Sequence, residues 1–166
     1  VRHVYATARL NQGVSAYQQN DYASADTFFT ESILLLEELV ADYPSFPQYR
    51  LRLAGTLMNA GSTALNLQQP ERSVVLGERA VTILEYLTER WPTVRSYHRN
   101  LGGAISNLAS TLSSLEIDLE RAERLASEAI EEQRLALEKP DDVNGFLMKH
   151  HLVLATIQTQ LGQWSK

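Results

Sequence analysis

Three asparagines, Asn11, Asn59 and Asn107, recur at a spacing of 48 residues, each two positions before a small residue (Gly13, Gly61 and Ala109). A carboxamide carries both donors and an acceptor, so it can pair with a peptide backbone in either direction. Asparagine is not favoured inside a helix, so its return once per copy needs a reason. Two reasons stand: the side chains hold the backbone of a ligand, or each bonds a neighbouring helix and fixes the stagger between repeats. Residues seven apart share one helical face. Arg52, Asn59 and Asn66 therefore form one polar stripe, Asn100, Asn107 and Ser114 a second, and Asn11 with Gln18 a third.

Catalytic and metal chemistry find less support. His150 and His151 are adjacent, diverge by about 100° on a helix, and cannot easily share a metal. His3 and His98 have no partner at ligand spacing, and these histidines are expected at the surface or at interfaces. Glu128, Glu131 and Glu132 read as a solvated outer face with Arg121 and Arg124 as helix-spaced partners. No serine–histidine–acid arrangement follows from spacing. There is no Gly-rich phosphate loop, no His-Arg-Asp triplet and no Asp-Phe-Gly motif. With no cysteine, disulfides, thiolate chemistry and cysteine–zinc sites are all excluded. The expectation is a non-catalytic chain with no cofactor and no metal.

The elements that must position the asparagines come from an internal repeat. Under the same shift, Tyr43-Pro44 meets Trp91-Pro92, Tyr49 meets Tyr97 and Leu53 meets Leu101. One extra residue near Ile117 keeps the later columns aligned. The copies run approximately 1–43, 44–91 and 92–139, with a half repeat over 140–166, and together form a single repeat domain over 1–166. Apolar residues at three- and four-residue steps predict two helices per copy. The first lies at roughly 1–19, 47–68, 94–115 and 143–162, and the second at roughly 22–42, 71–90 and 119–138. Pro44 ends a helix, Ser45 and Gln48 can form a capping box around Pro47, Pro70 and Pro92 suit first turns, and Asp21, Asp118 and Asp142 are good caps. Seven helices joined by short loops must run antiparallel to their neighbours.

This spacing resembles the tetratricopeptide repeat, in a long-helix variant, over nearly the whole chain. The small-residue triplets that carry the resemblance are Gly13/Ala25/Ser32, Gly61/Ser73/Ala80 and Ala109/Ala122/Ala129. Phe29 stands where the family has an aromatic, replaced by Gly77 and Ala126 in the later copies, and Leu161-Gly162-Gln163-Trp164 is similar to the family's turn between helices. The resemblance implies an all-α fold, a right-handed α-α superhelix of about three and a half helical hairpins. It also implies a concave face of first helices that binds a peptide or protein segment. On that face it places Asn11, Asn59, Asn107, Arg52, Arg99, Asn100, Asn66, Tyr17, Leu10 and Met58. The family's carboxylate clamp would fall on Leu10, Val14, Met58, Ser62, Ser106 and Ser110, none of them basic, so that activity is not expected. Copies of this length, with a Tyr-Pro or Trp-Pro junction, also look like arrays attached to bacterial eukaryotic-like serine/threonine kinases.

Charge is divided between the two helix sets. The first-helix segments (1–20, 43–70, 91–115 and 143–166) hold none of the twenty acidic residues and carry +8, leaving −13 for the rest and −5 overall. That division points to a groove suited to a neutral or acidic partner, while the overall sign argues against nucleic acid. The longest aliphatic run, Ile33 to Leu36, is far short of the ~20 residues that span a bilayer. The pattern begins inside a helix at Val1, as in a piece of a longer protein, and a cytoplasmic setting is expected. The alternatives are a spacer or self-association module, with a homodimer through the array ends, or the docking region of a larger enzyme such as a protein kinase.

Overall fold

A computed structural model describes residues 1–137 and 145–162. Among the described residues it holds seven α-helices and no strand. These are α1 (Arg2–Gln18), α2 (Tyr22–Asp42), α3 (Pro47–Asn66), α4 (Pro70–Arg90), α5 (Arg95–Ser114), α6 (Leu119–Leu135) and α7 (Gly145–Gln160). The chain divides within α4 into two compact units, Val1–Ile83 and Leu84–Lys166. In the first unit α2 packs against both α1 and α3, and in the second α6 packs against both α5 and α7. Both are helical hairpins followed by a further helix, so the fold is all-α. Arg2 reaches Asp42 and Arg9 reaches Glu31 across the first hairpin, a pairing order that only antiparallel helices allow.

The helices of each hairpin approach closely where the side chains are small. Ser32 donates its hydroxyl proton to the carbonyl of Ala6 at 3.0 Å, and both residues are buried. In the second unit the matching pair is Gly102 and Ala129, where a Cβ on Gly102 would stand 3.0 Å from the Ala129 carbonyl oxygen. Gly13 makes room in another way. A Cβ there would lie 2.5 Å from Cε1 of Phe29, whose buried ring fills the space the glycine leaves.

The turns between paired helices share one backbone solution. Asn20, Gln68, Glu116 and Gly162 all have positive φ, between 55° and 71°. The amides of Asn20, Gln68, Glu116 and Gly162 bond the carbonyls of Tyr17, Leu65, Ser113 and Thr159, and the amides of Asp21, Gln69 and Ile117 bond those of Ala16, Ala64 and Leu112. This paired pattern closes a helix with one left-handed residue, a place that glycine normally takes. Only Gly162 is a glycine there; in the predicted turn of the half repeat, Gln163 and Trp164 lie outside the described residues.

Asp21 and Asp118 cap α2 and α6 by accepting from the amides of Ser24 and Arg121 at 3.1 and 3.0 Å. Asp142 lies outside the described residues. Two start signals read from the sequence do not operate. The N-cap of α3 is Phe46, with no side-chain bond, so Ser45 and Gln48 form no capping box. Pro47 occupies the first turn itself, which pushes Ser45 one place too far out for its hydroxyl to reach the helix amides. Pro92 lies in the turn before α5, whose N-cap is Val94; like Pro44 it follows a finished helix rather than starting one.

Replacing Gly13 with alanine should destabilise the first unit by about 1–3 kcal/mol, because the buried Phe29 ring cannot yield without disturbing its neighbours. Gly55, in the middle of α3 with nothing within 4 Å of an added Cβ, should instead gain about 0.5–1 kcal/mol on the same change. Thermal melts of the two variants would then move in opposite directions. Gln68→Gly and Glu116→Gly should each raise stability by roughly 0.5–1 kcal/mol, the left-handed cost less glycine's entropy, checked by urea midpoints.

Candidate functional site

In the first unit, α1 and α3 flank a depression of about 270 Å³ lined by Val14, Tyr17, Gln18, Phe29, Asn59 and Ser62. Phe29 reaches it from α2, and its burial makes it the floor. The site thus depends on Gly13: a side chain at that position would displace the ring. Val14 adds a second apolar wall, while Asn59, Ser62, Gln18 and the Tyr17 hydroxyl make the rest polar. No lining residue is charged.

Among the described residues the Asn59 carboxamide, half-buried, makes no hydrogen bond, and the exposed carboxamides of Asn11 and Asn107 make none either. Among the described residues these side chains therefore make no bond to a neighbouring helix. Tyr17 is held differently: its hydroxyl accepts from Asn66 at 3.2 Å, and its ring meets Tyr22 edge-on at 5.4 Å. Asn66 also donates to the Ser62 carbonyl at 2.9 Å, so it serves the rim as a brace. Of the expected face, Tyr17 and Asn59 come together in the depression with Asn66 beside them. Asn11, Leu10, Met58 and Arg52 are outside its lining. The sequence marks Val14 and Ser62 only as clamp positions and Phe29 only as the family's aromatic; the readable signal is the pairing of Gly13 with an aromatic on the next helix.

In the second unit Asn107 is exposed on α5, and the Asn100 carboxamide donates to the Ser96 carbonyl at 2.6 Å, which ties it to its own helix. Arg99 lines a different, open depression of about 500 Å³ with Gly145, Phe146 and Lys149.

The cations of the first-helix segments are largely engaged within the first unit. Arg2 pairs with Glu38 and Asp42, and Arg9 with Glu31 at 2.7 Å while lying 4.8 Å over the Tyr5 ring and 5.6 Å over Phe28. Arg50 donates to the Pro44 carbonyl, and Arg52 to the Thr7 hydroxyl at 3.3 Å. These contacts hold helices together and leave the Asn59 depression neutral.

The histidines differ most from expectation. His98 is buried, with Nδ1 2.7 Å from Glu132 and Nε2 2.9 Å from the Pro92 carbonyl, so neither nitrogen is left for a substrate. Glu132 is thereby turned inward, and Glu131 pairs with Arg134, so neither forms the expected pairing with Arg121 or Arg124. Partial burial pushes the Glu128 carboxyl above its usual range, and Glu85 and Glu132 add to the effect. His150 is only 1% exposed and neither ring nitrogen has a partner. Sequence adjacency to exposed His151 hid this, because neighbours on a helix face different environments. Among the described residues no group of three His, Asp or Glu could hold a metal, and no helix is long and apolar enough to cross a membrane.

No family model matches the chain, and no curated protein matches it. Among solved structures the chain is similar to one described as "Crystal structure of MamA protein", at 11% identity over 98% of this chain and 96% of that one, with a TM-score of 0.29. A likeness of that size leaves the reading to the geometry.

Burial lowers the pKa of His150, and the nearby positive charges of Lys149 and His151 lower it further. The unfolded chain therefore takes up the proton first as pH falls, and stability is lost from about the ordinary histidine value of 6.5 downward, until the buried ring's own lower value is reached. Melting temperature should drop more between about pH 7.5 and about pH 5.5 in the wild type than in His150→Leu. Equal drops would remove His150 from the acid response.

Proposed function

We propose that this chain is a non-catalytic protein-recognition module that binds a segment of a partner protein on the α1–α3 face. The observation that carries the reading is the Asn59 carboxamide: half-buried, without a partner of its own, and set beside an aromatic-floored depression. A half-buried carboxamide in the lining of this depression can pair with a ligand backbone in either direction, while Phe29 and Val14 suit an apolar side chain beside it. The lining has no charge, which favours a neutral segment over an acidic one. The resemblance to tetratricopeptide repeats points the same way, with first helices as the binding face.

The test is a screen of arrayed peptides against wild type and the triple variant Asn11→Ala, Asn59→Ala, Asn107→Ala. Neutral peptides with one or more large apolar residues should be selected, and the triple variant should bind them at least about tenfold more weakly, about 1.4 kcal/mol. Since the three carboxamides have no internal bonds among the described residues, its melting temperature should stay within a few degrees. A large drop in melting temperature would mean that the asparagines hold the fold.

A further inference from the structure

Two cations are left over in the second unit. On the first helices of the first unit, Arg2, Arg9, Arg50 and Arg52 all end on an acceptor of the same unit, and on α5 Arg95 is engaged as well. Arg99 on α5 and Lys149 on α7 are exposed and make no hydrogen bond or ion pair among the described residues. Both line the open depression of about 500 Å³, with Gly145 and Phe146. Neither α5 nor α7 carries an acidic residue, so the two helices that form this groove do not neutralise it.

The openness of the groove is written into its own walls. The left-handed turn residues give the register, since Gly162 on α7 answers to Gln68 on α3, and Glu116 on α5 to Asn20 on α1. Counting back from these turns, Phe146 stands where Arg52 stands, and Gly103 where Thr7 stands. In the first unit Arg52 crosses from α3 to donate to the Thr7 hydroxyl on α1. Phe146 has no donor and Gly103 has no side chain, so that tie has no counterpart between α5 and α7. Phe146 is 57% exposed, and a Cβ added to Gly145 would meet nothing within 4 Å. One depression thus holds an exposed aromatic ring and two uncompensated positive charges.

We propose that this groove binds an acidic segment of a partner protein, one that sets a carboxylate beside a large apolar side chain. The Arg99 guanidinium, a fork of donors, would take the carboxylate with two parallel bonds. Lys149 would add a point charge, and the apolar side chain would cover the Phe146 ring. Exposed ion pairs contribute little alone, so the ring is part of the recognition and the partner must bring both groups. The net charge of −5 sets the whole chain against nucleic acid, which leaves protein as the source of the anion. The site shares no residue with the Asn59 depression and does not depend on it.

The probe is the fluorescently labelled, end-blocked peptide Glu-Asp-Phe-Asp-Glu, titrated onto the whole 166-residue chain with anisotropy as the readout. It should bind saturably, and the matched peptide Gln-Asn-Phe-Asn-Gln at least about tenfold more weakly. The double variant Arg99→Gln, Lys149→Gln should also lose at least about tenfold, and Phe146→Ser should weaken binding too. All three side chains are exposed, so circular dichroism should show the helices intact. The two single glutamine variants provide the same comparison should the double variant unfold. Arg124→Gln, which removes a cation from α6, should change affinity by less than about twofold, and Asn59→Ala should leave it unchanged. Equal binding of the two peptides, undiminished binding by the double variant, or an equal loss in Arg124→Gln or Asn59→Ala would overturn the proposal, as would the absence of binding to the wild type. Binding that appears only in the variant Asp141→Asn, Asp142→Asn would give the groove to the chain's own carboxylates. A dimer in light scattering that the double variant dissolves would give it to a second copy. Either result also overturns the proposal.

Discussion

The constraint on which each unit rests is how near two helices can come. Helix pairs separate by the length of the side chains between them, and interiors tolerate few voids. At Ala6 and Ser32 the approach is close enough for a side-chain hydroxyl to bond the facing backbone, and at Gly102 the facing carbonyl itself arrives at the distance of an absent methyl. Gly13 uses the same lack of a side chain to admit a ring rather than a backbone. From that one substitution of filler follow the buried Phe29, the depression above it, and the placement of Asn59 at its edge. Packing and the candidate site in the first unit therefore share a cause.

The charge division has the same origin. A first helix is covered along one side by its partner, and α3 meets α2 as well, so little of its surface suits short acidic side chains, which cannot extend their carboxylates to water. Arginine can, because its apolar stem lies along the packed surface while its head reaches beyond it. Arg2 and Arg9 do this, ending on carboxylates of α2. Depletion of acids alone is thus what packing predicts, and in the first unit the charges of Arg2 and Arg9 are matched by carboxylates of α2. A basic ligand-steering groove is not needed to explain it, and in the first unit the arginines are not in the depression.

What was legible in the sequence was whatever acts locally along the chain. Helix limits agree to within about three residues because prolines, aspartates at caps and three-four apolar spacing act over one turn. The left-handed turns escaped notice because Asn20, Gln68 and Glu116 stand where glycine is the usual sign. The burial of His98 against α6 and of His150 is a property of the facing helix, which no spacing within one helix shows. The site was half legible: the asparagine column marked α1, α3 and α5, but neither the engagement of Asn66, Asn100 and Arg52 by neighbours nor the role of Phe29 could be read without the facing residues.

The asparagine column suggests equal copies, and the packing beneath it says otherwise. Phe29 is followed in its column by Gly77 and then Ala126, so the aromatic floor exists only where Gly13 has made room for it. Around Asn107 the neighbouring residues are Ser106 and Ser110, with Ser106 buried, and the column of Phe29 holds Ala126. The same carboxamide thus sits on an apolar pocket in one copy and on a small polar surface in another. If an anchoring side chain supplies most of the binding energy, as buried hot spots do, that energy belongs to the first unit.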